Sequence, residues 1–273
     1  LLADSRTDEE IAEIQSLRCR LYASIHRYSE AVQAGIDGLR VLGEWRGSTK
    51  IGVARGAWEA YKCQRRLAQI GLEKLLALPM ATDSRQLLIA RIISETAHPA
   101  MMVHQYLAIV IACKQIETVL KSGYSRYSVL SLLSLVMAIN GASAVSGIRI
   151  WTKRSPELLL DVFEASEKHL MADREQVERR LVYHCFVSHW RPDFRESAQE
   201  LIKLVPPLID RGNLQYVGVA MLVALDLGLF SGQNLINLLA ASDGWNEYIE
   251  QKLEKRDKRT LVQFKQCLSA IVE

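Results

Sequence analysis

Apolar residues return every three or four positions along nearly the whole chain, and alternating runs long enough for a strand are absent. Phe194, Ala198, Leu201, Val205 and Leu208 follow i, i+4, i+7, i+11, i+14 and so share one side of a helix. The pattern predicts a helix behind Asp193, whose carboxylate can cap the first free amides. It also predicts a kink or a restarted last turn at Pro206-Pro207, where two backbone donors are lost. Breaks fall at Ile25-His26-Arg27, Ser122-Gly123-Tyr124, Arg211-Gly212-Asn213 and Phe230-Ser231-Gly232. Connections this short force consecutive helices to run antiparallel, so the chain reads as a succession of helix hairpins. A lone hairpin cannot bury its own apolar face, whereas stacked hairpins can. The expected fold is all-α: a solenoid, or superhelix, of about six or seven antiparallel hairpins, forming a single domain over residues 1–273.

Composition agrees with that pattern. Only 6 prolines and 15 glycines interrupt a chain otherwise rich in good helix formers. The stretch from Ser128 to Ile148 carries no charge and is about as long as a membrane span. Serines, Asn140 and Gly141 interrupt it, however, and a break at Asn140-Gly141 makes it two shorter buried helices, so no membrane span is expected. The 34 basic and 31 acidic residues are spread along the length and leave a net charge of +3, which offers no concentrated footprint for a nucleic acid. The five cysteines, Cys19, Cys63, Cys113, Cys185 and Cys267, are odd in number and far apart. They read as reduced, buried thiols of a cytoplasmic protein. The start, Leu-Leu-Ala-Asp-Ser, carries no signal pattern and reads as part of a longer polypeptide.

The clearest single unit runs from Leu17 to Gly43, with Leu17, Tyr22, Tyr28, Ala31 and Leu39 around the break at His26-Arg27. It resembles a tetratricopeptide repeat, whose second helix opens with Tyr-x-x-Ala, here Tyr28-Ser29-Glu30-Ala31. Gly35 and Gly38 stand where that pattern carries an aromatic and an Ala, and Gly43 replaces its closing Pro. An ordered series extends the resemblance: Leu39 to Gly43, Leu78-Pro79-Met80-Ala81-Thr82-Asp83, His189-Trp190-Arg191-Pro192, Arg211 to Tyr216, and Ser231-Gly232-Gln233-Asn234-Leu235. Taken together it is similar to the helical region of large multidomain signalling proteins with kinase-like, STAND-type ATPase, GAF and histidine kinase domains. The resemblance implies a non-catalytic scaffold that couples neighbouring domains. Its partners would be those domains, another protein or peptide, or a small-molecule effector.

Catalytic and cofactor motifs are missing. Gly43 to Lys50 only imitates a phosphate-binding loop, because its glycines are too close and Ser48-Thr49 precede the Lys. No Cys or His pairs have zinc spacing, the aspartates are isolated, and no nucleophile sits in a strained elbow. His98 and His104 flank an expected break at Pro99. No cofactor and no metal are expected. Two aromatic and basic clusters remain as candidates for partner contact: Tyr124, Arg126 and Tyr127, and then Arg149, Trp151 and Arg154; His189 and Trp190 join them. Trp and Arg favour binding hot spots, while aromatics at helix turns also fill gaps between helices. Two alternatives to a coupling role stay open: a stand-alone tetratricopeptide-type peptide receptor, and a helical enzyme with an unfamiliar site.

Overall fold

The computed structural model describes residues 7–70, 73–74, 77–125, 127–128, 173–186, 188, 194–210, 214–248 and 255–272. Among these residues the protein is helical, with no strand beyond one isolated bridge between Met80 and Tyr124. The chain divides into two compact units, Leu1–Met171 and Ala172–Glu273.

The first unit contains α1 (Asp8–Ser24), α2 (Tyr28–Val41), α3 (Val53–Ile70), α4 (Ser84–Val103) and α5 (Gln105–Ser122). A capping box starts α1: the Glu10 amide donates to Thr7 Oγ1 at 3.1 Å and the Thr7 amide to Glu10 Oε2 at 2.9 Å. Asp8, Glu9 and Glu10 further oppose the positive end of the helix. The α1–α2 turn passes through His26 at φ 58°, so the break predicted there is real. Asp83 caps α4, and a single residue, His104, joins α4 to α5.

Helices α1 and α2 form one hairpin and α4 and α5 another; α4 lies against both α1 and α2, and α3 lies on α5. The core is built from Ile36, Leu39, Ile89, Ile92, Ile93 and Ile116 with their neighbours. Gly35 and Gly38 allow this packing. A methyl at Gly35 would overlap Thr96 Oγ1, and one at Gly38 would stand 3.2 Å from Gln15 Cβ and 3.4 Å from Ile92 Cδ1. An aromatic at Gly35 has no room because α2 runs against α4, and an Ala at Gly38 would require Gln15 of α1 to give way slightly.

Helix α4 continues through Pro99 to Val103 and ends at His104, so the break expected at Pro99 lies a turn later. Pro99 lacks the amide that would bond to the Glu95 carbonyl one turn back. That carbonyl instead accepts from Cys19 Sγ of α1 at 3.6 Å. The lost helix bond is thus replaced by a contact between helices.

The second unit contains α6 (Asp173–Phe186), α7 (Phe194–Asp210), α8 (Leu214–Phe230), α9 (Leu235–Asp243) and α10 (Lys255–Val272). Ala198, Leu201, Val205 and Leu208 of the predicted stripe are fully buried. Leu201, Val205 and Leu208 meet Leu181 of α6 and Val217, Met221 and Leu225 of α8 in one core. The predicted helix continues through Pro206 and Pro207 to Asp210. The two missing amides leave the carbonyls of Ile202 and Lys203 without their helical partners. Asn234 caps α9 with bonds from the amides of Ile236 and Asn237. In this unit α8 touches α6 and α7, and α10 touches α8 and α9.

Four cysteines are buried as expected; Cys267 is exposed, on the solvent side of α10. No helix among the described residues is long and apolar enough to cross a membrane.

Candidate partner-binding surface

The α4–α5 hairpin closes on itself through its two ends. The Tyr124 amide donates to the Pro79 carbonyl at 2.8 Å and the Ala81 amide donates to the Tyr124 carbonyl at 2.7 Å. Gly123 makes the approach possible. Its φ is 92° and a Cβ there would overlap the Pro79 carbonyl oxygen. After this pairing the chain turns on hydroxyls: the Ser125 amide donates to Ser128 Oγ at 2.9 Å and the Tyr127 amide to Ser125 Oγ at 3.3 Å.

The turn separates the two candidate tyrosines. Tyr124 is 6% exposed; it fills the gap between hairpin ends, and burial pushes its phenol up to about 12. Its Oη has no hydrogen-bond partner. Tyr127 instead stands at the wall of a surface groove of about 360 Å³. Besides Tyr127 and Ser125, the groove is lined by Glu13 of α1, Met80, and the α4 face carrying Ser84, Leu87, Leu88 and Arg91. These α4 residues recur at helical spacing, but nothing in that spacing says that α1 and the 124–128 turn are the walls opposite. Arg126, Arg149, Trp151, Arg154, His189 and Trp190 lie outside the described residues.

Charge in the seam between α1 and α4 is paired. Arg85 holds Glu9, Arg91 faces Glu13 at 3.7 Å, and Arg20 meets Glu95 at 3.3 Å. Glu95 also accepts from Ser16 Oγ, yet burial keeps its carboxyl above the ordinary carboxylate range. The groove therefore offers an apolar floor with polar edges and a neutralised seam, a surface for packing a side chain more than for holding a free ion.

Among the described residues of the second unit, His184, Ser188 and Ser197 form a cluster of catalytic residue types. His184 Nδ1 lies 3.3 Å from Ser197 Oγ, which donates to Ser188 Oγ at 2.8 Å; Ser188 Oγ in turn donates to the His184 carbonyl at 3.0 Å. Ser188 and Ser197 are both buried, and burial lowers the His184 imidazole to about 4. The hydroxyl protons are committed within a closed ring that ties the end of α6 to α7. Among the described residues no group of three His, Cys, Asp or Glu side chains could hold a metal. No family model, curated protein or solved structure matches the chain.

Proposed function

We propose that this chain is a non-catalytic interaction and coupling module of a multidomain signal-transduction protein, a tetratricopeptide-like stack that links or regulates neighbouring ATPase and kinase domains. The observation that carries the reading is the position of the groove. If α1 and α4 are taken as the first helices of two successive hairpins, the groove lies on the layer they form, where a helical solenoid engages its partners. The neighbour pattern supports the stack: α1 meets α4, α6 meets α8, and α8 meets α10, each first helix touching the next. Leu17 and Leu21 on α1, and Ile25 just past its end, lie exposed at helical spacing, with Leu21 at 66%. Such an apolar strip suits contact with another helix.

The seam ion pairs favour a coupler over a receptor for carboxylate-ended peptides. Such a receptor needs unpaired cations on its first helices, and Arg20, Arg85 and Arg91 already face carboxylates.

Selection from a displayed peptide library tests the proposal. Selected peptides should bind the wild-type chain and lose at least about tenfold in affinity, some 1.4 kcal/mol, to Leu87→Glu or Tyr127→Ala. Binding that ignores both substitutions places the working surface elsewhere. Turnover of nucleotide by the isolated chain would overturn the non-catalytic reading.

A further inference from the structure

Helix α3 turns an aromatic and basic face to solvent. Its inner face, Gly56, Ala60, Cys63 and Leu67, follows i, i+4, i+7, i+11 and is buried in the direction of α5, the helix that α3 packs on. Gly56 comes close enough that a Cβ there would stand 3.2 Å from Tyr106 Cβ. The opposite face follows the same period with Trp58, Tyr61, Arg65 and Gln69. Trp58 is 58% exposed and Tyr61 51%. Their rings stack on each other, centroids 5.9 Å apart and planes 27° from parallel, forming one apolar slab on the surface. Large aromatics this exposed cost solvation and mark contact surfaces.

Charge around the slab is one-sided. Positions 44–70 hold six basic residues, Arg46, Lys50, Arg55, Lys62, Arg65 and Arg66, against two acidic ones, Glu44 and Glu59, a surplus of four where the whole chain has a net charge of +3. Both acids are occupied, Glu44 by Lys114 at 2.7 Å and Glu59 by Lys62 at 2.8 Å. Arg66 is held by Glu117 at 2.7 Å. That leaves Arg46, Lys50, Arg55 and Arg65 exposed and without a carboxylate among the described residues. At the far end of the face, Arg66, Gln69, Ile70, Glu117, Leu120 and Lys121 line a notch of about 320 Å³. From Trp58 to Gln69 the face is about 16 Å long, some three turns of helix.

We propose that the outer face of α3 docks an acidic amphipathic segment of a polypeptide, with apolar side chains against Trp58 and Tyr61 and carboxylates paired with Arg55 and Arg65. The surface is separate from the α1–α4 groove, and the inference does not depend on that site. Carboxylates find unneutralised guanidinium groups on both sides of the slab, the arrangement that suits charge-assisted, paired hydrogen bonds. A polypeptide fits better than a nucleic acid strand. The two rings are turned towards each other and do not form successive platforms for bases, and Glu59 and Glu117 at the rim oppose a continuous line of phosphates. A membrane surface would press on the same rim carboxylates.

The test uses the full chain and a labelled peptide of about 15 residues carrying Leu at helical spacing with Glu elsewhere, long enough to cover the face. A matched peptide with Gln for Glu, an oligothymidylate of similar length and phosphatidylserine vesicles are measured beside it. Fluorescence anisotropy should give saturable binding of the Glu peptide, weakened about tenfold or more by Trp58→Ala/Tyr61→Ala and, independently, by Arg55→Glu/Arg65→Glu. Binding should also weaken as salt rises and shortens the screening length. All four positions are exposed, so both double variants should keep the wild-type circular dichroism spectrum and melting temperature. The proposal is overturned if the Gln peptide binds as tightly as the Glu peptide, or if both double variants bind like wild type. Equal or tighter binding of the oligonucleotide or the vesicles, lost through the same substitutions, overturns it in favour of that ligand.

Discussion

Replacing Gly35 by Ala sets two rules against each other. In an ordinary exposed helix Gly→Ala stabilises by about 1 kcal/mol, because Ala is the better helix former. Here the new methyl would overlap Thr96 Oγ1 and stand 2.9 Å from both Thr96 Cβ and Cγ2, where carbon atoms prefer about 3.5–4.0 Å. Thr96 is fully buried, and its hydroxyl donates to the Ile92 carbonyl at 2.6 Å, so its rotamer is held. Relief requires either turning Thr96, which forfeits a buried hydrogen bond of about 1 kcal/mol, or moving α2 off α4. A separation of about 0.5–1 Å loses a quarter to a half of each dispersion contact along the shared face. Overpacking of this kind costs about 1–3 kcal/mol, and with the hydrogen bond or the contacts added it exceeds the propensity gain. We expect net destabilisation of about 2 kcal/mol, read as a lower urea midpoint by circular dichroism. Thr96→Ala should rescue it, with a coupling energy of about 1 kcal/mol or more in the double-mutant cycle. Gly244→Ala, where the backbone is already helical and the new Cβ would lie 3.6 Å from the Ala241 carbonyl oxygen, should be neutral or slightly stabilising. A Gly35→Ala chain as stable as wild type, or more stable, would refute the close approach of α2 to α4.

Three further outcomes follow from the same structure. His98 is half-buried, and desolvation, with His26 nearby, lowers its imidazole from 6.5 to about 4. The unfolded chain therefore binds the extra proton first, so stability should fall as pH drops from about 6.5 to about 4, by up to roughly 3 kcal/mol, and His98→Phe should flatten that slope in urea midpoints. Gly123→Ala should cost about 2–4 kcal/mol, since it combines an unfavourable φ with a clash on the Pro79 carbonyl. Faster amide exchange at Ala81 and Tyr124 would locate that damage. With iodoacetamide the native protein should lose one thiol quickly, at Cys267, and the other four only on unfolding, a sequence that peptide mapping reads directly.

The helices and their ends were visible in the sequence where the backbone itself required a break: His26, Gly123 and Gly232 all adopt positive φ, and each lies at a predicted turn. Pro99 misled because a missing amide ends a helix only if the orphaned carbonyl finds no other donor, and Cys19 comes from a helix about 80 positions earlier in the chain. Periodicity told which side of each helix was apolar, but not which helix covered it. For that reason the meaning of Gly35 and Gly38, and the opposition of α1 to α4 that makes the groove, depended on the fold. Tyr124 and Tyr127 belong to one aromatic cluster in sequence. The backbone pairing of Pro79 with Tyr124 buries the first and leaves the second at the groove.

The central claim, that a polypeptide partner engages the layer formed by α1 and α4, is tested most directly by hydrogen–deuterium exchange with and without a library-selected peptide. The account predicts new protection confined to residues 80–91 and 124–127, together with the adjoining turns of α1. Protection confined to other segments, or none under saturating peptide, would contradict it.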